Sequence, residues 1–382
     1  MYDFDEIINR KNTGASKWES GPDGSRLPED IIPLWVADMD FPCAPPIVEA
    51  LHKAVDNRIY GYSQFPDGYF EALQSFYERR HHFHVEKENM LFTTGVVPAL
   101  HYVIKALSDP GDGVITMSPV YYPFFSAIQG EGRELLENRL INKDGAYTID
   151  FDDLEKLACE PRAKILLICS PHNPVGRVWT VEELTRIQEI CLKHGLVLLS
   201  DEIHNDLIRG GFEHHSVMEL FPEADNVVCC TAPSKTFNLA GLGVSHMFSY
   251  NPEYLKKVAA VRGYPTENPL SLAAAQAAFT DCDTWLDELN QYMDKNFELF
   301  YCLCKTYFPK AILTITEGTY LAWVDVRAYT EDTKDLERKL LNKYHVYLES
   351  GDAFHGKGFL RVNLACPKQY IEEAFERVKT IL

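Results

Sequence analysis

Short apolar runs alternate with helical patterns through the middle of this 382-residue chain. Five of the runs have the length of buried strands: Met90–Thr93, Gly113–Met117, Lys164–Cys169, Leu196–Ser200 and Val227–Thr231. Patterns typical of helices, such as residues 181–194, separate several of them. Strands of this kind are buried on both faces, so the alternation predicts an α/β fold with a largely parallel sheet between two layers of helices.

The remainder of the chain predicts a second, smaller α+β domain. After Pro269 the pattern gives, in order, a long helix toward Phe300, a strand at 319–326, a helix at 336–343 and a strand at 359–364. No repeat or long polar linker is visible, so structured chain must cross any boundary. We predict a large domain over residues 45–270, and a small domain built from residues 1–44 and 271–382 in which the N-terminal segment folds against the C-terminal part.

Charge and composition narrow the class of function. The formal net charge is -19, which would repel nucleic acid and anionic membrane surfaces. Residues 1–6 lack the basic start and apolar core of a signal peptide, and no apolar run is long enough to span a bilayer. We therefore expect a cytoplasmic globular protein that binds neither nucleic acid nor membrane.

Neither the cysteines nor the clustered histidines have the spacing of a metal site. The ten cysteines are scattered, and the pairs Cys229–Cys230 and Cys302-x-Cys304 lack the repeated C-x-x-C of zinc sites. His81, His82 and His84 follow basic residues at a predicted helix end, where basic side chains favour the negative end of the dipole. We expect buried reduced thiols, a solvated helix terminus and no metal.

Polar groups follow four of the predicted strands. In an open parallel sheet, ligands bind beyond the carboxyl ends of the strands, so these residues are predicted to meet at one edge. The four segments are Thr94-Gly95-Val96, Ser170-Pro171-His172-Asn173-Pro174, Asp201-Glu202-Ile203-His204 and Ser234-Lys235. A phosphate-binding turn, an amide, a carboxylate and an amine thus converge.

Each of these residues also has a structural interpretation. Thr94-Gly95 can be a turn before a helix, and Asn173-Pro174 is an ordinary turn pair. Asp201 can cap the segment that follows it, and Lys235 can be a surface lysine. Their order and their shared position after apolar strands favour a common site over four separate structural roles.

These motifs resemble the signatures of a known enzyme family. Residues 170–176 (SPHNPVG), 201–204 (DEIH), 234–241 (SKTFNLAG) and 361–364 (RVNL) resemble fold-type I pyridoxal-phosphate enzymes. Residues 33–41 (PLWVADMDF), His204 and residues 351–354 (GDAF) resemble the MalY/PatB group of cystathionine and cysteine-S-conjugate β-lyases. The resemblance spans essentially the whole chain, and it implies an aspartate-aminotransferase-like fold with a mostly parallel mixed sheet flanked by helices.

The resemblance implies catalytic roles around pyridoxal 5'-phosphate. Lys235 would bind the cofactor aldehyde covalently and later remove the α-proton of the substrate. Asp201 would face the pyridine nitrogen and favour its protonated form. Asn173 would donate to the 3-oxygen, and Tyr121 would stack on the ring, with Tyr122 as its competitor.

The phosphate and the 3-oxygen involve further residues. Gly95 and Val96 would offer backbone N–H groups to the phosphate at a helix N-terminus, assisted by the Ser234 hydroxyl. Many relatives carry an arginine where this chain has Gly243. His204 replaces the tyrosine of transaminating relatives, and packing near the ring is its structural alternative.

Tyr62 matches a tyrosine that members of the family lend to the neighbouring subunit's phosphate, which implies a homodimer with shared active sites.

Arg361 would bind the substrate α-carboxylate, because a guanidinium matches a carboxylate bidentately. Its structural alternative is a buried ion pair. The backbone at Val36 and Ala37 would border the substrate, on resemblance alone.

The subgroup motifs favour carbon–sulfur β-elimination, which releases a thiol, pyruvate and ammonia from cystathionine or another S-substituted cysteine. An aminotransferase of the same fold uses the same first residues and remains the alternative. Regulatory binding of a transcription activator, known in this group, is the alternative from another class of function and would be a secondary role.

Overall fold

The computed structural model describes residues 2–21, 23–264 and 267–381. In these ranges the α-helices are α1 (Ser16–Glu19), α2 (Pro45–Asp56), α3 (Tyr69–His81), α4 (Val96–Leu107), α5 (Pro123–Gly130), α6 (Phe151–Ala158), α7 (Val181–His194), α8 (Val217–Leu220), α9 (Pro233–Thr236), α10 (Pro252–Arg262), α11 (Pro269–Asp281), α12 (Asp283–Tyr307), α13 (Thr333–Tyr344) and α14 (Lys368–Val378). The strands are β1 (Ile32–Pro33), β2 (Met90–Thr93), β3 (Gly113–Ser118), β4 (Glu134–Arg139), β5 (Ile141–Lys143), β6 (Ala146–Thr148), β7 (Ala163–Cys169), β8 (Val197–Asp201), β9 (Val227–Thr231), β10 (Ser245–Phe248), β11 (Ile312–Leu313), β12 (Leu321–Asp325), β13 (Val346–Tyr347), β14 (Glu349–Ser350) and β15 (Phe359–Asn363).

A seven-stranded sheet forms the centre of the molecule, in the order β2-β10-β9-β8-β7-β3-β4. Strand β10 is antiparallel to both of its neighbours, and the other pairs are parallel. The prediction of a largely parallel sheet is therefore confirmed. β2, β9 and α7 have the predicted bounds, β3 and β7 each differ from theirs by one residue at one end, and β8 is shifted by one residue at both ends.

Helices cover both faces of this sheet. Alternate residues of β7 enter different cores, because side chains along a strand point to opposite faces. Leu166 and Ile168 belong to the same core as Ile187 of α7. Ile165 belongs to the other core, with Val103 of α4. The near-continuous apolar strands of the sequence are thus explained by burial from two sides.

Helix α7 shows how local sequence sets these elements. The Thr180 hydroxyl oxygen accepts a hydrogen bond from the backbone N–H of Glu183, and the Glu183 carboxylate accepts one from the backbone N–H of Thr180. These two bonds form a capping box at the start of the helix. Gly195 ends the helix with a φ of +66°, a left-handed conformation that glycine adopts without a Cβ penalty. Capping signals at both ends explain why the predicted bounds were correct.

The C-terminal part contains a four-stranded antiparallel sheet in the order β11-β12-β15-β14. The N-terminal segment lies against this part, because β1 pairs with β13 in parallel, Ile32 opposite Val346. Helix α11 packs on α2 and α3. The division into domains at residues 44 and 270 stays a prediction.

The single long helix expected after Pro269 is wrong. The chain forms two helices, α11 and α12, and leaves the helical conformation at Cys282 (φ -113°, ψ 9°). Cys282 is buried, and its thiol donates to the Ala277 carbonyl at 3.5 Å. A break of one residue leaves the helical pattern of the sequence almost unchanged, so the pattern did not indicate it.

Burial corrects two further expectations. Seven of the ten cysteines are buried, but Cys159 and Cys302 are exposed and Cys43 is partly buried. After α3, His82 is exposed, as expected of a solvated helix end, whereas His81 is buried and its Nε2 lies 2.9 Å from Asp206 Oδ1. Across the described ranges, no helix has both the length and the apolarity to cross a membrane.

Candidate active site

Four parallel strands end at one cavity of about 190 Å³. The cavity lies beyond the carboxyl ends of β2, β7, β8 and β9, where an open sheet binds its ligands. The residues that line it are Ala37, Thr94, Gly95, Val96, Val97, Pro98, Tyr121, Cys169, Asn173, Asp201, Ile203, His204, Ser234, Lys235, Ala240, Gly243 and Val244. The structure therefore brings together most of the site residues that were predicted from the sequence.

Lys235 lines the cavity, and its amine is withdrawn from solvent. It sits on the short helix α9, and Nζ donates to the Ala37 carbonyl at 2.6 Å. Burial lowers the pKa of Lys235 to about 8, Asp38 and Asp201 oppose this shift, and Arg361 adds to it. A large fraction of the amine is thus neutral near pH 8, as a nucleophile or base requires, and the surface-lysine alternative does not hold.

Asp201 ends strand β8 and is buried. Burial raises the pKa of its carboxyl to about 7, and Glu202 raises it further, while the N–H of Ile203 and the amine of Lys235 lower it. Ile203 N donates to Asp201 Oδ1 at 3.1 Å, so the capping interpretation is also correct locally. A buried carboxylate of this kind is stabilised in its ionised form by a positively charged partner.

The amide and the imidazole of the site are both buried. Asn173 follows β7 and its Oδ1 accepts from Arg361 Nη1 at 3.2 Å. Burial lowers the pKa of His204 to about 3, with Lys235 and Arg361 adding to the shift, so the ring is neutral at physiological pH. Its Nδ1 has no hydrogen-bond partner among the residues that the structure describes.

Backbone N–H groups for an anion come from the start of α4. Gly95 is the residue before the helix, and Val96 is its first residue. N–H groups at such a terminus lack partners within the helix and face the positive end of its dipole. Gly243, where the family resemblance led us to expect arginine in many relatives, has a φ of +62°, and a Cβ there would lie 3.3 Å from the Thr94 carbonyl oxygen. This local backbone favours glycine, so phosphate binding must rely on other groups.

The structure separates the two tyrosines that competed for the ring-stacking role. Tyr121 lines the cavity, and burial raises the pKa of its hydroxyl well above the usual range. Tyr122 is 42% exposed and lies outside the cavity lining. The geometry favours Tyr121.

Arg361 on β15 is 3% exposed and makes several contacts. It donates to Asn173, to the Trp35 carbonyl at 3.0 Å and to Glu349. Its Nε is buried without a partner in the described part of the chain. The ion pair that we kept as its structural alternative is therefore present, and sequence reasoning missed Glu349 as its partner.

Loop 35–41 closes one side of the cavity, and side chains from distant parts of the chain hold its carbonyl groups. Ala37 lines the cavity, whereas Val36 does not, although its carbonyl accepts from Asn363. Donors to the successive carbonyls of residues 35–39 are Arg361, Asn363, Lys235, Lys17 and Arg10, and Asn238 donates to residues 39 and 41. Sequence reasoning missed Lys17, Arg10, Asn238 and Asn363 in this role.

Tyr62 lies apart from the cavity. It is 93% exposed in the single chain and makes no contribution to the lining. Tyr62 is therefore not placed to contact a cofactor in the cavity of the same chain. Its role in the active site of a neighbouring subunit stays a prediction.

Comparison with known proteins places the chain in a family. The model of the aminotransferase class I and II family matches residues 29–378. The chain belongs to this family. Within it, the chain is 37% identical to cystathionine beta-lyase PatB of Bacillus subtilis (strain 168), with 99% of each protein covered. It is 30% identical to protein MalY of Escherichia coli (strain K12), covering 98% of this chain and 97% of MalY.

A solved structure gives the same result. The PLP-bound C–S lyase of Staphylococcus hominis superposes with a TM-score of 0.94 at 34% identity, covering 100% of this chain and 98% of the other. The predicted aspartate-aminotransferase-like fold of type I is confirmed, and so is the recognition of the MalY/PatB group.

Proposed function

We propose that this class I and II family member is a pyridoxal-phosphate-dependent carbon–sulfur β-lyase. It cleaves cystathionine or related S-substituted cysteines to a thiol, pyruvate and ammonia. One observation carries the proposal: an amine, a carboxylate, an amide and a helix N-terminus from four strand ends line a single cavity. The names of PatB and of the S. hominis C–S lyase support the same reaction.

The residues of the cavity fit the cofactor. Its aldehyde requires a primary amine, its ring nitrogen a carboxylate and its phosphate a set of N–H donors, which Lys235, Asp201 and the start of α4 provide. The buried Nδ1 of His204 has no partner among the described residues, and a polar ring substituent would satisfy it. Asn173, Tyr121 and Ser234 complete the proposed cofactor-binding set.

Lys235 is proposed as the catalytic base. When bound, the cofactor supplies an electron sink for the electron pair that remains after the substrate loses its α-proton. The lysine amine, with a pKa of about 8, takes this proton at Nζ. The Ala37 carbonyl, 2.6 Å from Nζ, accepts a hydrogen bond that keeps the amine in the cavity.

Arg361 is proposed to bind the substrate α-carboxylate, with the backbone of Val36 and Ala37 alongside. Its guanidinium lies next to the cavity because it donates to Asn173, which lines it. Asp201 stays ionised opposite the protonated ring nitrogen, since a buried carboxylate requires such a partner. These residues serve elimination and transamination alike.

A product assay separates the two reactions. Elimination returns the cofactor unchanged, so purified enzyme incubated with cystathionine should form thiol and pyruvate in equal amounts without any added keto acid. The Lys235→Ala variant, incubated in parallel, should form neither. Turnover that depends on added 2-oxoglutarate or pyruvate, with no thiol released, would identify an aminotransferase instead.

The homodimer is part of the proposal. Tyr62 is exposed in the single chain, as expected of a residue lent to a neighbouring active site. Light scattering coupled to gel filtration should give twice the chain mass. From the sequence pattern we also propose a large domain over residues 45–270 and a small domain over residues 1–44 and 271–382. A cytoplasmic location stays a prediction from the sequence.

A further inference from the structure

Arg361, the proposed partner of the substrate carboxylate, already holds a carboxylate of the protein. Glu349 on β14 lies directly opposite Arg361 on β15 in the sheet register, and the two side chains form an ion pair. Both are withdrawn from solvent, with side-chain exposures of 3% for Arg361 and 14% for Glu349. The pair is thus a buried contact within the site that the proposed function assigns to the substrate.

Nε–H of Arg361 and one hydrogen of Nη1 have no acceptor among the described residues, whereas Nη2 is fully engaged. Nη2 has two hydrogens, and it donates to the Trp35 carbonyl and to Glu349. A bidentate grip that uses Nη2 must displace one of these acceptors. The Trp35 carbonyl belongs to the backbone of loop 35–41, whereas Glu349 is a side chain that can rotate. The acceptor that gives way is therefore Glu349.

Displacement leaves Glu349 without a cation. The titratable groups that face it are Arg361 on β15, Glu337 on α13, Tyr347 on β13, and Tyr121 and Tyr122 before α5. Arg361 is the one positive charge among them. A carboxylate removed from this partner in a buried site favours its neutral form.

The behaviour of the two acids agrees with this picture. Burial raises the pKa of Glu349 even in the ion pair, and Arg361 is what opposes the shift. Burial also raises the pKa of the neighbouring Glu337 to about 7, so a second negative charge is unfavourable in this region. Loss of the Arg361 contact removes the opposing influence and raises the pKa of Glu349 further.

We propose that Glu349 is an internal substitute for the substrate α-carboxylate: it pairs with Arg361 before substrate binds, and it is displaced and takes up one proton when substrate binds. The proposal rests on the proposed role of Arg361. The negative charge that the substrate brings is balanced by the proton, so the net charge around the guanidinium stays constant. Ligand affinity then falls as pH rises, by up to tenfold per pH unit.

Calorimetry with an unreactive ligand measures the proton directly. The ligand is 3-(methylthio)propanoate, which has the carboxylate and thioether of S-methylcysteine but no amine, and it is titrated into the holoenzyme. The binding enthalpies observed at one pH in phosphate and in Tris differ by the number of protons taken up times the difference between the ionisation enthalpies of the two buffers. We expect uptake approaching one proton per ligand, and a dissociation constant that rises between pH 7 and pH 8.

Two variants assign the proton. Glu349→Gln should bind the ligand without proton uptake and with little pH dependence, more tightly than wild type at pH 8. Glu317→Gln is the matched control, because Glu317 pairs with Arg177 at 2.9 Å and has no contact with Arg361 among the described residues. It should keep the wild-type proton uptake. Should Glu349→Gln fail to fold, wild-type titrations with the neutral 3-(methylthio)propanamide, for which we expect no uptake, replace it.

The outcomes separate this proposal from the one it depends on. Binding that is unchanged in Arg361→Ala would show that Arg361 does not hold the carboxylate, and the proposed substrate site would be wrong. Binding that requires Arg361 but takes up no proton, or takes it up equally in Glu349→Gln, would overturn the proposal for Glu349 alone.

Discussion

Replacing Lys17 with methionine tests the structure of loop 35–41 from outside the cavity. The Lys17 side chain is fully buried, and Nζ donates to the Asp38 carbonyl and to Asp40 Oδ2, each at 2.7 Å. Methionine keeps the apolar length of the side chain and removes both hydrogen bonds. Asp40 is then left with Arg10 and Trp18, each at 2.8 Å.

The size of the effect follows from this geometry. Removing one partner of a buried ion pair costs about 3–5 kcal/mol, because the other charge stays buried. Since Asp40 keeps two donors and the Asp38 carbonyl keeps Asn363 at 2.8 Å, we expect the lower end of this range. The matched control is Lys193→Met, because its ion pair with Glu155 is exposed and screened by solvent and should therefore contribute little to stability.

Native-state hydrogen exchange localises the loss. If loop 35–41 opens as a unit, about 3 kcal/mol corresponds to about 100-fold faster exchange of its amides in Lys17→Met. Exchange in β8, at the centre of the sheet, should change far less. Equal protection of loop 35–41 in wild type, Lys17→Met and Lys193→Met would refute the idea that this buried contact holds the loop over Lys235.

Three further predictions concern the site itself. Burial raises the pKa of Asp201 from 3.8 to about 7, so its contribution to the stability of the cofactor-free protein is present below pH 4 and lost as pH rises to 7. Urea unfolding should show that Asp201→Asn removes about 3 kcal/mol of the stability difference between pH 5 and pH 8; an unchanged difference would contradict the assignment. Arg361→Ala should raise KM for cystathionine with a smaller effect on kcat, and unaltered kinetics would exclude its contact with the substrate. Tyr62→Phe should weaken cofactor retention. In mixed dimers of one Tyr62→Phe chain and one Lys235→Ala chain, one active site should be intact if Tyr62 acts across subunits. No recovery of activity would place Tyr62 outside the partner's site.

The sheet and the positions of the chemical groups could be predicted because their signals are local. The buried parallel strands β7, β8 and β9 are five to seven residues long and mostly apolar, and the polar residues at or after the end of each strand are positioned by the strand itself. Asp201 and Lys235 are both predictable for this reason. The capping box at Thr180 and the glycine at 195 likewise define α7 from local sequence.

Other features depend on residues far apart in the chain, and sequence patterns did not contain them. The pairing of Glu349 with Arg361 follows from the register of β14 against β15. His81 is buried against Asp206, which lies 125 positions later in the sequence and forms a hydrogen bond with the imidazole. The donors to loop 35–41 come from the N-terminal segment, from the region of Lys235 and from β15, and no local sequence pattern indicates that these three regions meet.

The proposed function requires that Lys235 carries the cofactor at the meeting point of four strand ends. Purified protein reconstituted with pyridoxal phosphate, treated with borohydride and digested should yield one modified peptide, with the cofactor mass on Lys235. Lys235→Ala treated in the same way should yield none. Protein that stays colourless after reconstitution, or a label on a different lysine, would contradict the account.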